Sequence, residues 1–266
     1  MRFVIEVIVA ASLCVVAGCA TMGGMSLGEA FPDAKVHGLI DAAMDRNPKE
    51  AQELVKQGAN PNYVGKDGIL PLVWVVAHDS SPWARTKVLL DVGADPNEKF
   101  TGHNPPSENS VMYLVAGGDK PDLLEFLLQH GGNPNVSSDG GETALMIAAE
   151  EGRDENIKIL LKYGADINGH DSIGGAPELA LVQDRFDLVM FFLDHGFSDD
   201  LNKLAKYVEG SMVYGGPQCD WKKKDLERLR DMGVILPTSG WSSFLHHTPL
   251  GQIPCMPDWY PQKTLK

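Results

Sequence analysis

The sequence predicts an all-α solenoid of short helix-turn-helix repeats joined by hairpin loops, closed by a helical and irregular C-terminal cap. Three observations predict it. A five-residue string recurs as GANPN at Gly58 to Asn62, GADPN at Gly93 to Asn97, GGNPN at Gly131 to Asn135 and GADIN at Gly164 to Asn168, with a degraded fifth copy at Gly196 to Asp200. The leading glycines lie 35, 38, 33 and 32 residues apart, a period that marks stacked supersecondary units. Each string follows an amphipathic run, such as Leu123-Leu124-x-x-Leu127-Leu128 or Ile157-x-Ile159-Leu160-Leu161, which reads as the apolar stripe of a helix ending at a left-handed glycine cap.

The elements follow in order. Residues 1–18 carry Arg2 and then an apolar stretch broken only by Glu6 and Ser12, too short for a spanning helix and of the kind that directs secretion. The stretch ends Val16-Ala17-Gly18-Cys19, which resembles the bacterial lipobox. That resemblance implies cleavage before Cys19 and its acylation, and Ala20 in the next position implies delivery to the outer membrane, facing the periplasm. An ordinary cleavage site with Cys19 as a stray thiol is the alternative. Residues 19–33, with Gly23, Gly24, Ser26 and Gly28, have the composition of a flexible tether.

The repeat array is expected over 34–198, about five copies. Its clearest first helix is Gly141-Glu142-Thr143-Ala144-Leu145-Met146-Ile147-Ala148-Ala149-Glu150-Glu151-Gly152. This resembles the ankyrin repeat, in which Thr caps the helix and paired alanines let neighbouring helices approach. The copies depart from the pattern in informative ways. His37 stands where Thr is usual in the first, and Val75-Val76 replaces the alanines in the second. The second also gains residues around Ser81-Pro82-Trp83, and five extra residues precede the third between Lys99 and Ser107. The fifth, Gly175-Ala176-Pro177-Glu178, has lost the capping Thr and is expected to end the regular array. Residues 199–266 are expected to hold two capping helices, Asp200 to Tyr207 and Asp220 to Met232, and then a Pro- and aromatic-rich extension packed as an irregular cap or left as an interaction tail.

With Cys14 lost in the signal and Cys19 acylated, Cys219 and Cys255 remain as a pair in an oxidising compartment, where a disulfide is expected. A redox or metal pair is the sharper reading, but neither a Cys-x-x-Cys spacing nor a His-rich setting supports it. There is no phosphate-cradling glycine loop, no helical His-Glu-x-x-His and no Gly-x-Ser-x-Gly elbow. The sequence therefore supports no enzymatic activity, cofactor or metal. His130 and His195, just before repeat glycines, read as capping residues.

Binding suits the architecture. The 23 Lys and Arg against 36 Asp and Glu leave a net charge of −13, which disfavours nucleic acid and favours a protein partner with a basic surface. The membrane is reached only through the N-terminal lipid, and the chain is expected to be a monomer without its partner. Carried onto the fourth copy, the ankyrin contact positions imply Asp139, Glu142, Glu150, Glu151 and Tyr163, four of them acidic. The second copy gives Lys66, Asp67, Ile69, Ala77 and His78, and the third Ser107, Asn109 and His130, with Phe100 and His103 on the inserted loop. For any single residue a solvated face is the simpler reading. Two functions remain open: an inhibitor or immunity protein that neutralises a secreted effector, and a resident envelope scaffold that assembles or protects another periplasmic protein, for example in oxidative defence.

Overall fold

A computed structural model describes residues 25–78, 82–101, 108–211, 213, 216–236, 238 and 255–257. The signal segment 1–18, the lipobox, Cys19, His103, Ser107 and most of the C-terminal extension lie outside the described residues. The chain divides into two compact units at Gly140 and Gly141.

The first unit begins with α1 (Leu27–Ala30), then α2 (Ala34–Met44) and α3 (Pro48–Lys56), α4 (Pro71–Ala77) and α5 (Pro82–Asp91). A two-stranded ribbon follows, β1 (Lys99–Thr101) and β2 (Glu108–Ser110), and then α6 (Val111–Gly117) and α7 (Pro121–Gln129). The second unit holds α8 (Ala144–Glu150) and α9 (Asp154–Lys162), α10 (Ala176–Ala180) and α11 (Phe186–Asp194), and α12 (Leu201–Gly210) and α13 (Pro217–Asp231). Each repeat is thus a helix pair, and within each unit the core lies between the helices of a pair and those of the next.

Local chemistry sets the helix ends. Thr143 accepts from the Met146 N–H at 3.3 Å, and Ser110 accepts from Tyr113 N–H at 3.2 Å, each covering an N–H that the first turn leaves open. Asp33 caps α2 by accepting from Lys35 and Val36, so this helix begins before His37. The fifth copy, which lacks the Thr, keeps the other half of the cap: buried Glu178 accepts from Gly175 N–H at 3.0 Å. At the other ends, the leading glycine of each string occupies the left-handed region, with φ of 92° at Gly131 and 88° at Gly164. Ala148 and Ala149 are fully buried where α8 meets α10, the close approach that small side chains permit.

The rest of the string also has a visible cause. Its third residue folds the turn, as Asp95 does by accepting from Asn97 N–H at 2.8 Å. Its fifth residue ties the string to the next one. The Asn97 side chain donates to Gly131 O at 2.9 Å and accepts from Asn133 N–H at 2.6 Å; Asn62 makes the same pair of bonds to Gly93 and Asp95. In the second unit Asn168 of the fourth string likewise accepts from the Ser198 and Asp199 N–H groups of the degraded fifth string.

Two expectations need correction. The tether assigned to 19–33 is folded from Ser26 onward: Ser26 and Glu29 form a capping box, and Ala30 and Phe31 are fully buried. Phe31 packs edge-on against Trp74 with centroids 5.9 Å apart, and Gly65 admits it, because a Cβ there would stand 2.8 Å from the ring. The insertion after Glu98 adds a short antiparallel ribbon, Phe100 opposite Asn109, to the all-α array. The capping helices are longer than expected, 201–210 and 217–231, because Asp200 and Pro217 start them and the backbone stays helical past Tyr207. Cys219 and Cys255 are joined in a disulfide that fixes 255–257 beside α13, with Met256 and Pro257 buried.

Candidate functional site

In the first unit the expected contact residues gather on the hairpin side. Lys66 and Asp67 form a tight turn in which Asp67 takes φ 62°, a conformation that Asp tolerates, and both are exposed. Strand β1 packs beside this turn, which brings Phe100 and its cross-strand partner Asn109 near Lys66 and Asp67. Ile69, Phe100 and Asn109 are half-buried, so each keeps an exposed edge. Val64 adds an exposed apolar group on the same hairpin, at 58% exposure. Nothing in the recurring string marks Val64; an apolar residue between Tyr63 and Gly65 in a turn was the available signal. Asp139 is exposed in the last turn of this unit.

In the second unit the acidic set does not form one cluster. Glu142 precedes the Thr143 cap of α8, whereas Glu150 ends the helix and Glu151 caps it, so the helix separates them by about 12 Å along its axis at 1.5 Å per residue. Tyr163, the C-cap of the returning helix α9, lies at the same end as Glu142, with the Lys162 ammonium 5.4 Å above its ring. Glu151 is half-buried; burial raises its carboxyl above the usual range, Arg153 at 3.7 Å opposes the rise and Glu150 adds to it. The Glu150 carbonyl accepts from Gln183 of the next repeat at 2.5 Å.

Two apolar residues of the second unit were missed at the sequence level. Ile173, in the hairpin Asp171-Ser172-Ile173-Gly174, is 54% exposed, and Tyr207 on α12 is 42% exposed and donates to Ile173 O at 3.4 Å. They form an exposed aliphatic and aromatic pair at one hairpin tip. Tyr207 was read only as the end of a helix, and the pairing depends on residues 34 apart.

Three histidines at helix C-termini serve the fold. His78, His130 and His195 each place Nδ1 on the carbonyl four residues earlier, at 2.8, 2.8 and 2.7 Å. Each also lies against the ring at that position, with centroids 4.3, 4.1 and 3.9 Å apart for Trp74, Phe126 and Phe191. This capping role occupies Nδ1 of both His78 and His130, two of the expected contact residues. Among the described residues no group of three or more His, Cys, Asp or Glu is placed to hold a metal ion, and no helix is long and apolar enough to cross a membrane.

Arg185 clasps the outer helices of the second unit. Its Nη2 donates to Asp154 on α9 at 2.9 Å and to Asp187 on α11 at 2.8 Å, and Gln218 on α13 donates to Asp187 at 3.1 Å. The Arg185 hydrogen bonds hold the Asp187 carboxyl below the usual carboxylate range against the effect of its partial burial. The shallow groove beside this clasp, lined by Ile157, Leu188 and Phe191, is flanked by carboxylates that are already engaged.

This arrangement of capped helix pairs, left-handed glycines and an asparagine ladder is that of a repeat-built binding module. Residues 85–171 match the ankyrin repeat family in three copies, and the fold class is the all-α ankyrin solenoid. The chain is similar to an ankyrin repeat protein of Rickettsia felis, 36% identical over 63 residues, 24% of each chain. It is also similar to one of Rickettsia bellii, 29% identical over 144 residues, 53% of this chain and 54% of that protein. A third match, to a glycerophosphocholine phosphodiesterase of Candida albicans, is 28% identical over 116 residues, 43% of this chain and 10% of the enzyme. The chain therefore spans 54% or less of the length of these relatives, and the match to the enzyme is confined to a tenth of it. Ankyrin repeats constitute a protein–protein interaction module that is generally non-enzymatic.

Proposed function

We propose that this chain is a lipid-anchored periplasmic ankyrin module that captures a secreted effector by the effector's basic surface and neutralises it. The observation that carries the reading is the hairpin side of the first unit. Exposed Lys66, Asp67 and Val64 lie in one hairpin, and the inserted ribbon that carries the half-buried Phe100 and Asn109 packs beside it and enlarges the surface. An apolar centre with a polar rim is the usual anatomy of a protein contact. The net charge of −13 and the acidic Glu142, Glu150 and Glu151 favour Lys- and Arg-rich partners and speed their encounter. The lipobox-like Val16-Ala17-Gly18-Cys19 supports the anchor and the location.

The test is affinity capture with residues 20–266, oxidised and without lipid, from envelope and secreted fractions. It is repeated with Glu142, Glu150 and Glu151 changed to Lys, and separately with Phe100→Ala. A secreted enzyme held stoichiometrically, inhibited on binding and lost with the charge reversal supports the inhibitor. A resident envelope protein retained by the charge-reversed chain, with a stress phenotype on deletion, replaces it with the scaffold.

A further inference from the structure

The C-terminal helix pair buries charge that the binding role does not use. Helix α13 reads as a solvent-facing run, Lys222-Lys223-Lys224-Asp225, yet Lys222 and Asp225 are both at 0% exposure. Their spacing of three places them on one side of the helix. Lys222 is satisfied, because its Nζ donates to Ser211 O at 2.5 Å and to Glu209 O at 3.3 Å, a cation set on the C-terminal carbonyls of α12. Burial lowers this ammonium to about 8 against the attraction of Glu209. Glu209, also buried, accepts from both the N–H and the hydroxyl of Thr238.

Asp225 has no such company. Neither carboxyl oxygen has a hydrogen-bond partner among the described residues. Helix α13 packs on α11 and α12. From α11, Asp187 and Asp194 oppose a negative charge on Asp225, and each faces its own cation, Arg185 at 2.8 Å and Arg228 of α13 at 3.4 Å. On α12 the charged residues are Lys203, which acts on Glu178, Lys206, which is exposed, and Glu209, which is held by Thr238. A buried carboxylate without donors is strongly disfavoured against its neutral form. Burial first, then Asp187 and Asp194, push the Asp225 carboxyl up to about 9.

We propose that Asp225 is a proton-dependent latch of the C-terminal helix pair: its carboxyl occupies the interface of α13 with α11 and α12 only when protonated, and ionisation opens that interface. The direction follows from linkage. The folded value lies above that of the unfolded chain, so the folded state binds one more proton between the two, and the pair is tightest below the ordinary carboxylate range and loosens as pH rises towards about 9. Lys222, whose folded value is lowered to about 8, contributes in the opposite sense only above that pH, so below it the difference from a variant without the Asp225 carboxyl isolates this group.

Hydrogen exchange of the Leu226 and Leu229 amides in the full oxidised chain, compared with Asp225→Asn at each pH, tests the latch. Protection of the wild type relative to the variant is expected to fall about tenfold per pH unit between pH 5 and 8, because opening releases one proton. Identical pH profiles for the two proteins overturn the proposal. Should the variant not fold, the Asp225 carboxyl carbon followed by NMR in the wild type decides. A protonated signal persisting through pH 7 supports the latch, and titration in the ordinary carboxylate range overturns it.

Discussion

Replacing Phe31 by Ala tests whether residues 25–33 belong to the fold. The ring is fully buried, 5.9 Å from Trp74 edge-on and 6.5 Å from Tyr63, and it lies over Gly65 where no side chain fits. A buried Phe removes about 150–250 Å² from water, worth roughly 4–6 kcal/mol at about 25 cal/mol per Å². Truncation in a core that relaxes only in part costs about 3–5 kcal/mol. The expected result in urea is a lower midpoint for the transition that reports Trp74, corresponding to a loss of about 3–5 kcal/mol, with the disulfide-bonded end unchanged. Gly65→Ala attacks the same contact from the other side, since its Cβ would sit 2.5 Å from Ala30 O, and is expected to lose about 1–3 kcal/mol. A loss below about 1 kcal/mol for Phe31→Ala, the scale of a surface change, would refute the reasoning and return the segment to a tether.

Further outcomes follow from the ladder, the clasp and the disulfide. Asn97→Ala removes both bonds to the next string and is expected to lower stability by about 1–2 kcal/mol in urea unfolding. Arg185→Met frees Asp187, whose depressed carboxyl contributes stability above the unfolded range of Asp that is lost as pH falls through its folded value; the variant is expected to show a flatter acid limb, measured as midpoint against pH. Replacing Cys219 and Cys255 by Ser opens a link across 36 residues and is expected to cost about 3–4 kcal/mol by the chain-entropy account, read from thermal unfolding with and without reductant.

What the sequence revealed depended on whether the cause was local. Thr143 and the glycine of each string declare their roles within a few residues, because capping and left-handed turns are decided by near neighbours. The paired alanines of α8 were legible for the same reason. Phe31 was not, since its partner Trp74 is 43 residues along the chain and the Gly-rich stretch before it has a linker composition. The ribbon around Phe100 and Asn109 was hidden by its short strands, which carry too few residues to show an alternating pattern. The inward turn of Lys222 and Asp225 was hidden more deeply, because a run of charges reads as a solvated face unless the partner carbonyls of α12 are known. The expected contacts divided likewise. Lys66, Asp67, Phe100 and Asn109 converge through hairpin geometry, whereas Glu142 and Glu150 are separated by the length of one short helix.

The folded start at Ser26 also sets a reach. Seven peptide steps from Cys19 extend about 25 Å at most, against about 50 Å for the fourteen steps to residue 33. For a chain held by a lipid on Cys19, halving the radius shrinks the hemisphere it sweeps about eightfold and keeps the first folded residue within about 25 Å of the leaflet. A partner crossing that membrane or resident in it meets the module at correspondingly higher effective concentration, while one diffusing in the bulk compartment seldom enters its range.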